Sequence, residues 1–178
     1  DHLVVGHHKI SNAINTADFL SRKGKNLVTI GIKPTYASIA YGYIQYDENS
    51  EIDHFDAYHV KAFAEKPHSK LAKRFLSSGD FLWNAGMFFW RGSTLMDGLK
   101  KFLPELHDSL TKIAPKLYSG QSIDELWDFI EPESIDYGLM EKASNTYVVA
   151  GEFSWNDIGS WNALYEVLNP SKNGNIIK

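Results

Sequence analysis

Cysteine is absent from all 178 residues, so no disulfide and no thiolate metal site can form. That absence is compatible with a reducing compartment, and a cytoplasmic protein is expected. Positive charge is also in deficit: 18 Lys and Arg stand against 22 Asp and Glu, a formal charge of -4. Without a basic field there is no electrostatic footprint for nucleic acid. No apolar run is long enough to span a bilayer and no secretory signal precedes the first strand, so no membrane partner is expected. Gly-x-Ser-x-Gly, Walker and dinucleotide fingerprints are missing. His7 and His8 are adjacent and therefore point apart, which argues against a zinc site.

What is present reads as one α/β domain. The stretch Phe81–Trp90 (FLWNAGMFFW) is apolar almost throughout and follows the turn signal Ser77-Ser78-Gly79-Asp80. It predicts a strand buried on both faces. Asn84 and Gly86 do not suit such a strand: a buried amide needs partners, and glycine marks a close approach to the backbone. A loop-satisfied Asn and a Gly that admits a crossing helix would explain both without any ligand.

The flanking elements follow from periodicity. Leu3-Val4-Val5, a helix carrying Ile10, Ala13, Ile14, Ala17 and Leu20 up to Gly24, and a strand over 26–32 predict a strand–helix–strand crossover in a parallel sheet. A loop over 33–40 leads to a strand over 41–46, a turn over 47–50 and a returning strand over 55–64. Leu71, Ala72, Phe75 and Leu76 mark the next helix. Beyond Arg91, three apolar stripes predict core-facing helices, the last carrying Ile123, Leu126, Trp127 and Ile130. A short helix over 134–142, a strand over 146–150 and a final amphipathic helix from Trp161 complete the pattern. Both ends read as cut, and 173–178 reads as a turn followed by the start of a further β segment.

Several residues can carry chemistry. Asp1 and Asp157 stand at predicted strand ends, where open α/β sheets place their ligands, and two carboxylates there can hold one hard cation. Asp157 is equally readable as a turn or N-cap acid before Gly159-Ser160, and spacing does not choose between these. Glu65-Lys66-Pro67 offers an acceptor and a cation stiffened by proline, although Glu-Lys is also a common surface pair. Tyr41-Gly42-Tyr43 offers aromatic walls around a bare backbone, or a hairpin bulge.

In order along the chain, Asp1-His2, the segment LVTIGIKPT (27–35), Tyr41-Gly42-Tyr43-Ile44, FAEKP (63–67), LWNAGMF (82–88), ESIDYGLMEK (133–142) and WNDIGSW (155–161) resemble the mannose-1-phosphate guanylyltransferases, a family of sugar-phosphate nucleotidyltransferases. Each motif alone is weak, but the ordered set is specific and spans nearly the whole chain. The resemblance implies a Rossmann-like nucleotidyltransferase fold, with a mixed, mainly parallel sheet flanked by helices and its N-terminal part missing. It implies GTP and mannose 1-phosphate as substrates, and GDP-mannose and pyrophosphate as products. By the same resemblance Asp1 and Asp157 hold Mg²⁺ and are catalytic together with Lys66. Gly42, Tyr43, Glu65, Lys66, Asn84 and Gly86 would then line the sugar phosphate. A homo-oligomer is compatible with it.

The chain departs from the family pattern at Ala85 and Asn156, where Ser is usual, and in the loop over 36–40. The glycine-rich triphosphate signature, expected before Asp1, is not in this sequence. The competing readings are a relative using another hexose 1-phosphate or nucleotide, and a non-catalytic sugar-nucleotide-binding subunit.

Overall fold

The computed structural model describes residues 2–52 and 55–168, except for the side chains of Asn162 and Glu166. Strand β1 (Leu3–Val5) leads into helix α1 (His7–Lys23) and then β2 (Leu27–Ile32). A hairpin-like pair follows, β3 (Tyr43–Tyr46) and β4 (Ala57–Ala64), with a short 3₁₀ turn at Glu48–Ser50 capped by the Asp47 carboxylate. Helix α2 (Ser69–Ser78) returns the chain to β5 (Phe81–Phe89). Helices α3 (Gly92–Phe102), α4 (Pro104–Tyr118) and α5 (Asp124–Trp127) come next. A π-helical turn at Asp136–Met140, strands β6 (Thr146–Gly151) and β7 (Ser154–Asn156), and helix α6 (Trp161–Val167) complete the described chain.

Five strands close on themselves in the order β2-β5-β3-β4-β6. The sheet is mixed, as expected, but it is not mainly parallel among the described residues. Only β2 and β6 pair in parallel; the ladders β2–β5, β3–β5, β3–β4 and β4–β6 are antiparallel. The reason lies in the connections. The short β3–β4 link permits only an antiparallel pair. The α2 crossover does join two strands of the same direction, β4 and β5, but β3 lies between them. The opening strand–helix–strand unit is corrected as well: β1 leaves the main sheet and pairs antiparallel with β7.

Alternation along the strands splits the core between the two faces of the sheet. Val28, Ile30 and Ile32 of β2, with Phe81, Trp83 and Ala85 of β5, pack beneath α1 around Ala13, Ala17 and Leu20. Leu27 and Leu82 join Ile44, Val148, Leu139 and Met140 on the other face. Both faces of β5 are therefore covered in its first half, as its apolar run predicts. The stripe at Ile123–Ile130 is not a full core face: α5 is one turn long and Trp127 is 57% exposed.

Candidate functional site

The sheet register assembles the site. Tyr43 pairs with Ala64 on one side and Trp83 on the other, so the residues one step along, Gly42, Glu65 and Asn84, form a row across β4, β3 and β5. The Asn84 backbone N–H donates to the Gly42 carbonyl at 2.8 Å, which fixes this row. A Cβ built on Gly42 would lie 2.4 Å from Glu65 Oε2 and 3.3 Å from Asn84 Cβ. A side chain at 42 would have to push the Glu65 carboxylate aside.

Asn84 sits beside a bulge. On β2, Thr29 pairs with Phe88 and Gly31 with Asn84, so Ala85, Gly86 and Met87 together oppose the single residue Ile30. Gly86 takes φ 68, a left-handed conformation that suits glycine, and a Cβ there would meet open space. The turn it allows brings the Gly86 N–H back to Asn84 Oδ1 at 3.1 Å, and the Thr29 hydroxyl donates to the same oxygen at 3.1 Å. Asn84 Nδ2 donates to Asp136 Oδ1 at 3.0 Å. Gly86 thus shapes the strand rather than making room for a crossing helix.

Glu65 and Lys66 follow β4. The Glu65 side chain is 11% exposed and that of Lys66 61%, with 3.2 Å between Lys66 Nζ and Glu65 Oε1. Burial raises the Glu65 pKa above its ordinary value; the Lys66 ammonium opposes that rise, while the Asp136 and Glu141 carboxylates add to it. Glu65 in turn raises the Lys66 pKa, so the ammonium stays charged. Lys66 adopts φ 43 directly before Pro67, a left-handed backbone that carries local strain.

Asp157 follows β7, in the separate two-stranded sheet. Leu3 pairs with Asn156, so Asp157 leaves the β1–β7 ladder at the end where β1 begins. The Tyr41 hydroxyl donates to Asp157 Oδ1 at 3.0 Å. Burial, then hydrogen bonding to Tyr36 and Asp157, raises the Tyr41 pKa and keeps it a donor. Its ring packs edge-on between Trp83 at 5.1 Å and Trp155 at 5.2 Å, which ties Asp157 to the strand bearing Asn84. Ile158, at φ 46, is a strained β-branched residue next to it. The helix N-cap is Ser160, whose hydroxyl accepts from Ala163 N–H, so Asp157 is not the capping acid. Asp1 lies outside the described residues, as does the β segment expected over 173–178.

The structure therefore brings Gly42, Glu65, Lys66 and Asn84 together and connects Asp157 to them through Tyr41. It does not bring in the Tyr43 side chain, which is fully buried with its hydroxyl donating to the Ser38 carbonyl at 2.9 Å. Of the two tyrosines, Tyr41 is the one in contact with Asp157. Single-residue reasoning missed Asp136 and Glu141, the latter accepting from Glu65 N–H at 3.0 Å. Their one sequence signal is the ESIDYGLMEK segment, which singles out neither acid. A separate cavity of about 360 Å³ between the start of α4 and residues 129–133 is lined by Glu105, Glu131 and Glu133 and by no cationic side chain, so it would repel a phosphate.

Residues 1–173 match the nucleotidyl transferase family, and the chain belongs to it. It is 32% identical over 186 residues to mannose-1-phosphate guanylyltransferase 2 of Escherichia coli O157:H7, covering 100% of this chain and 38% of that protein. It is 34% identical over 182 residues to mannose-1-phosphate guanylyltransferase RfbM of Salmonella typhimurium, covering 100% of this chain and 37% of that protein. Among solved structures, a protein from Thermus thermophilus described as a mannose-1-phosphate geranyltransferase superposes with a TM-score of 0.80 at 33% identity, over 94% of this chain and 47% of that one. Mannose-6-phosphate isomerase of Helicobacter pylori superposes with a TM-score of 0.76 at 28% identity, over 88% of this chain and 62% of that one. The chain thus spans well under half the length of these guanylyltransferase relatives.

Proposed function

We propose that this chain forms the sugar-phosphate and metal side of a mannose-1-phosphate guanylyltransferase, which transfers the guanylyl group of GTP to mannose 1-phosphate. The observation that carries this reading is the row Glu65–Gly42–Asn84 across three adjacent strands, with Lys66 at its end. A sugar phosphate needs acceptors and donors for hydroxyls, a floor without side chains, and one cation for the phosphate. This row supplies each of them. Glu65 accepts from sugar hydroxyls, Asn84 donates to one, and the glycine floor lets the ring lie against the backbone.

Lys66 binds the phosphate. Its side chain is 61% exposed, so a phosphate can reach the ammonium while it stays beside the buried Glu65 carboxylate at 3.2 Å. The phosphate oxygen so held attacks the α-phosphorus of GTP; the new P–O bond forms as the bond to the pyrophosphate oxygen breaks, and pyrophosphate leaves with the electron pair. Two anions meet in this step, so the residues act by positioning and by charge neutralisation. Asp157 suits Mg²⁺: it is a hard oxygen donor with one oxygen held by Tyr41, and Mg²⁺ is commonly held through one or two carboxylates plus substrate phosphates. Asp1 is the second ligand in this reading. Bound Mg²⁺ would supply neutralisation of the triphosphate charge.

The test is a substrate panel on the complete protein. Turnover of GTP with mannose 1-phosphate should exceed that with glucose 1-phosphate, and Lys66→Ala should weaken the sugar phosphate but not free mannose. Preference for another hexose 1-phosphate or another nucleotide would replace this reading with a sister activity. Binding without turnover would replace it with a regulatory role.

A further inference from the structure

Asn84 is the one neutral side chain in the row, and an amide is ambiguous: rotated by half a turn, it exchanges donor for acceptor. Its surroundings remove the ambiguity from both ends. The Gly86 backbone N–H can only donate, and so fixes Oδ1. The Asp136 carboxylate faces Nδ2 and, when ionised, can only accept. One Nδ2 hydrogen is used in this contact, which leaves the other for a ligand. We propose that Asp136 is a positioning residue for the sugar, holding the Asn84 amide with one N–H directed to a sugar hydroxyl; this rests on the sugar-phosphate reading above.

Asp136 is built to hold still. It opens a π-helical turn closed by the Glu141 N–H to its own carbonyl at 3.0 Å. Such turns are rare and recur at functional sites. Leu139 and Met140 of the same turn are fully buried in the core, while Asp136 remains half-buried at Asn84. Close packing locks the turn further, since a Cβ on Gly138 would lie 2.6 Å from Leu103 Cδ1. A site residue supported by a rigid second layer of this kind is held to its working geometry. Desolvation raises the Asp136 pKa, opposed by the Asn84 hydrogen bond, so the contact runs against a cost of burial.

The experiment is a double-mutant cycle in the complete protein, using whichever hexose 1-phosphate the wild type turns over. Asp136→Ala should raise KM for the sugar phosphate about tenfold or more, the usual cost of a lost buried hydrogen bond to a charged group. KM for the nucleotide should move less than about twofold. In an Asn84→Ala background the same substitution should add almost nothing. Additive losses, an equal rise in both KM values, or no effect of Asn84→Ala on the sugar phosphate would overturn the inference. Should Asp136→Ala fail to fold, Asp136→Leu, similar in shape and unable to accept a hydrogen bond from Asn84 Nδ2, reads the same coupling. Failure of the wild type to prefer mannose 1-phosphate would count against the proposed substrate and leave Asp136 still to be judged by the cycle.

Discussion

At the residue scale, the proposed sugar side of the site rests on contacts that a single atom can break. A methyl on Gly42 cannot coexist with Glu65 Oε2 at 2.4 Å, so Gly42→Ala should displace the Glu65 carboxylate. We expect KM for the sugar phosphate to rise at least about tenfold, equivalent to about 1.4 kcal/mol, with the circular-dichroism spectrum unchanged. An unchanged KM would remove Glu65 from the sugar. Glu65 also makes a pH prediction. Its pKa is raised above the ordinary 4.5, so the folded protein holds this proton more tightly than the unfolded chain. The stability it contributes is complete below 4.5 and is lost as pH rises through the raised value. Glu65→Gln should therefore have the higher Tm at neutral pH yet bind sugar phosphate more weakly, the exchange of stability for function common at binding sites. A Gln variant less stable at neutral pH would contradict the burial argument. At Asp157, Tyr41→Phe removes the hydroxyl that holds Oδ1, and the Mg²⁺ concentration giving half-maximal binding should rise, read by calorimetric titration of the metal as well as by turnover.

At the scale of elements, the bulge in β5 matters most, because it lets a core strand hold the Asn84 amide in hydrogen bonds to Gly86 and Asp136 without interrupting the core. Gly86 at φ 68 has open space around it. Gly86→Ala should thus cost only backbone strain, about 1–2 kcal/mol. Urea unfolding would measure it, and a loss above about 3 kcal/mol would point to a clash that the bulge does not show. The apolar run over 81–90 made this strand legible from composition, and its two misfit residues fall at the bulge. The bulge was not legible, since it depends on which residues of β2 lie opposite. Asp136 was hidden for a similar reason: in sequence it is one acid among several before a short helix, and only the turn's docking against β5 sets it beside Asn84.

Across the whole molecule, stability should reside in the two cores and not in the surface charges. Ile30 is fully buried beneath α1, and Ile30→Ala should cost about 2–5 kcal/mol. Lys9 and Glu152 pair at 3.3 Å with side chains 58% and 72% exposed, and Lys9→Ala should stay within about 0.5 kcal/mol. Denaturant titrations of the two variants would test the contrast, and a larger loss for Lys9→Ala would reverse it. No described helix is long and apolar enough to cross a membrane.

Most element identities and the motifs came from sequence alone, because hydrophobic period and turn residues are local properties: α1 ends before Gly24, β5 is an apolar run broken only by Asn84 and Gly86, and Glu65-Lys66-Pro67 stands at a strand end, whereas the short strand β7 was not legible. Strand direction did not come that way. A strand–helix–strand pattern is the same in sequence whether or not a third strand intervenes, and here β3 separates β4 from β5 while β1 pairs with β7. The pairing that brings Gly42, Glu65 and Asn84 into one row, the burial of Tyr43 in place of Tyr41, and the contact between Asp136 and Asn84 were all decided by tertiary structure. Each depends on the register between segments dozens of residues apart, and register is set by side chains from both strands packing at once.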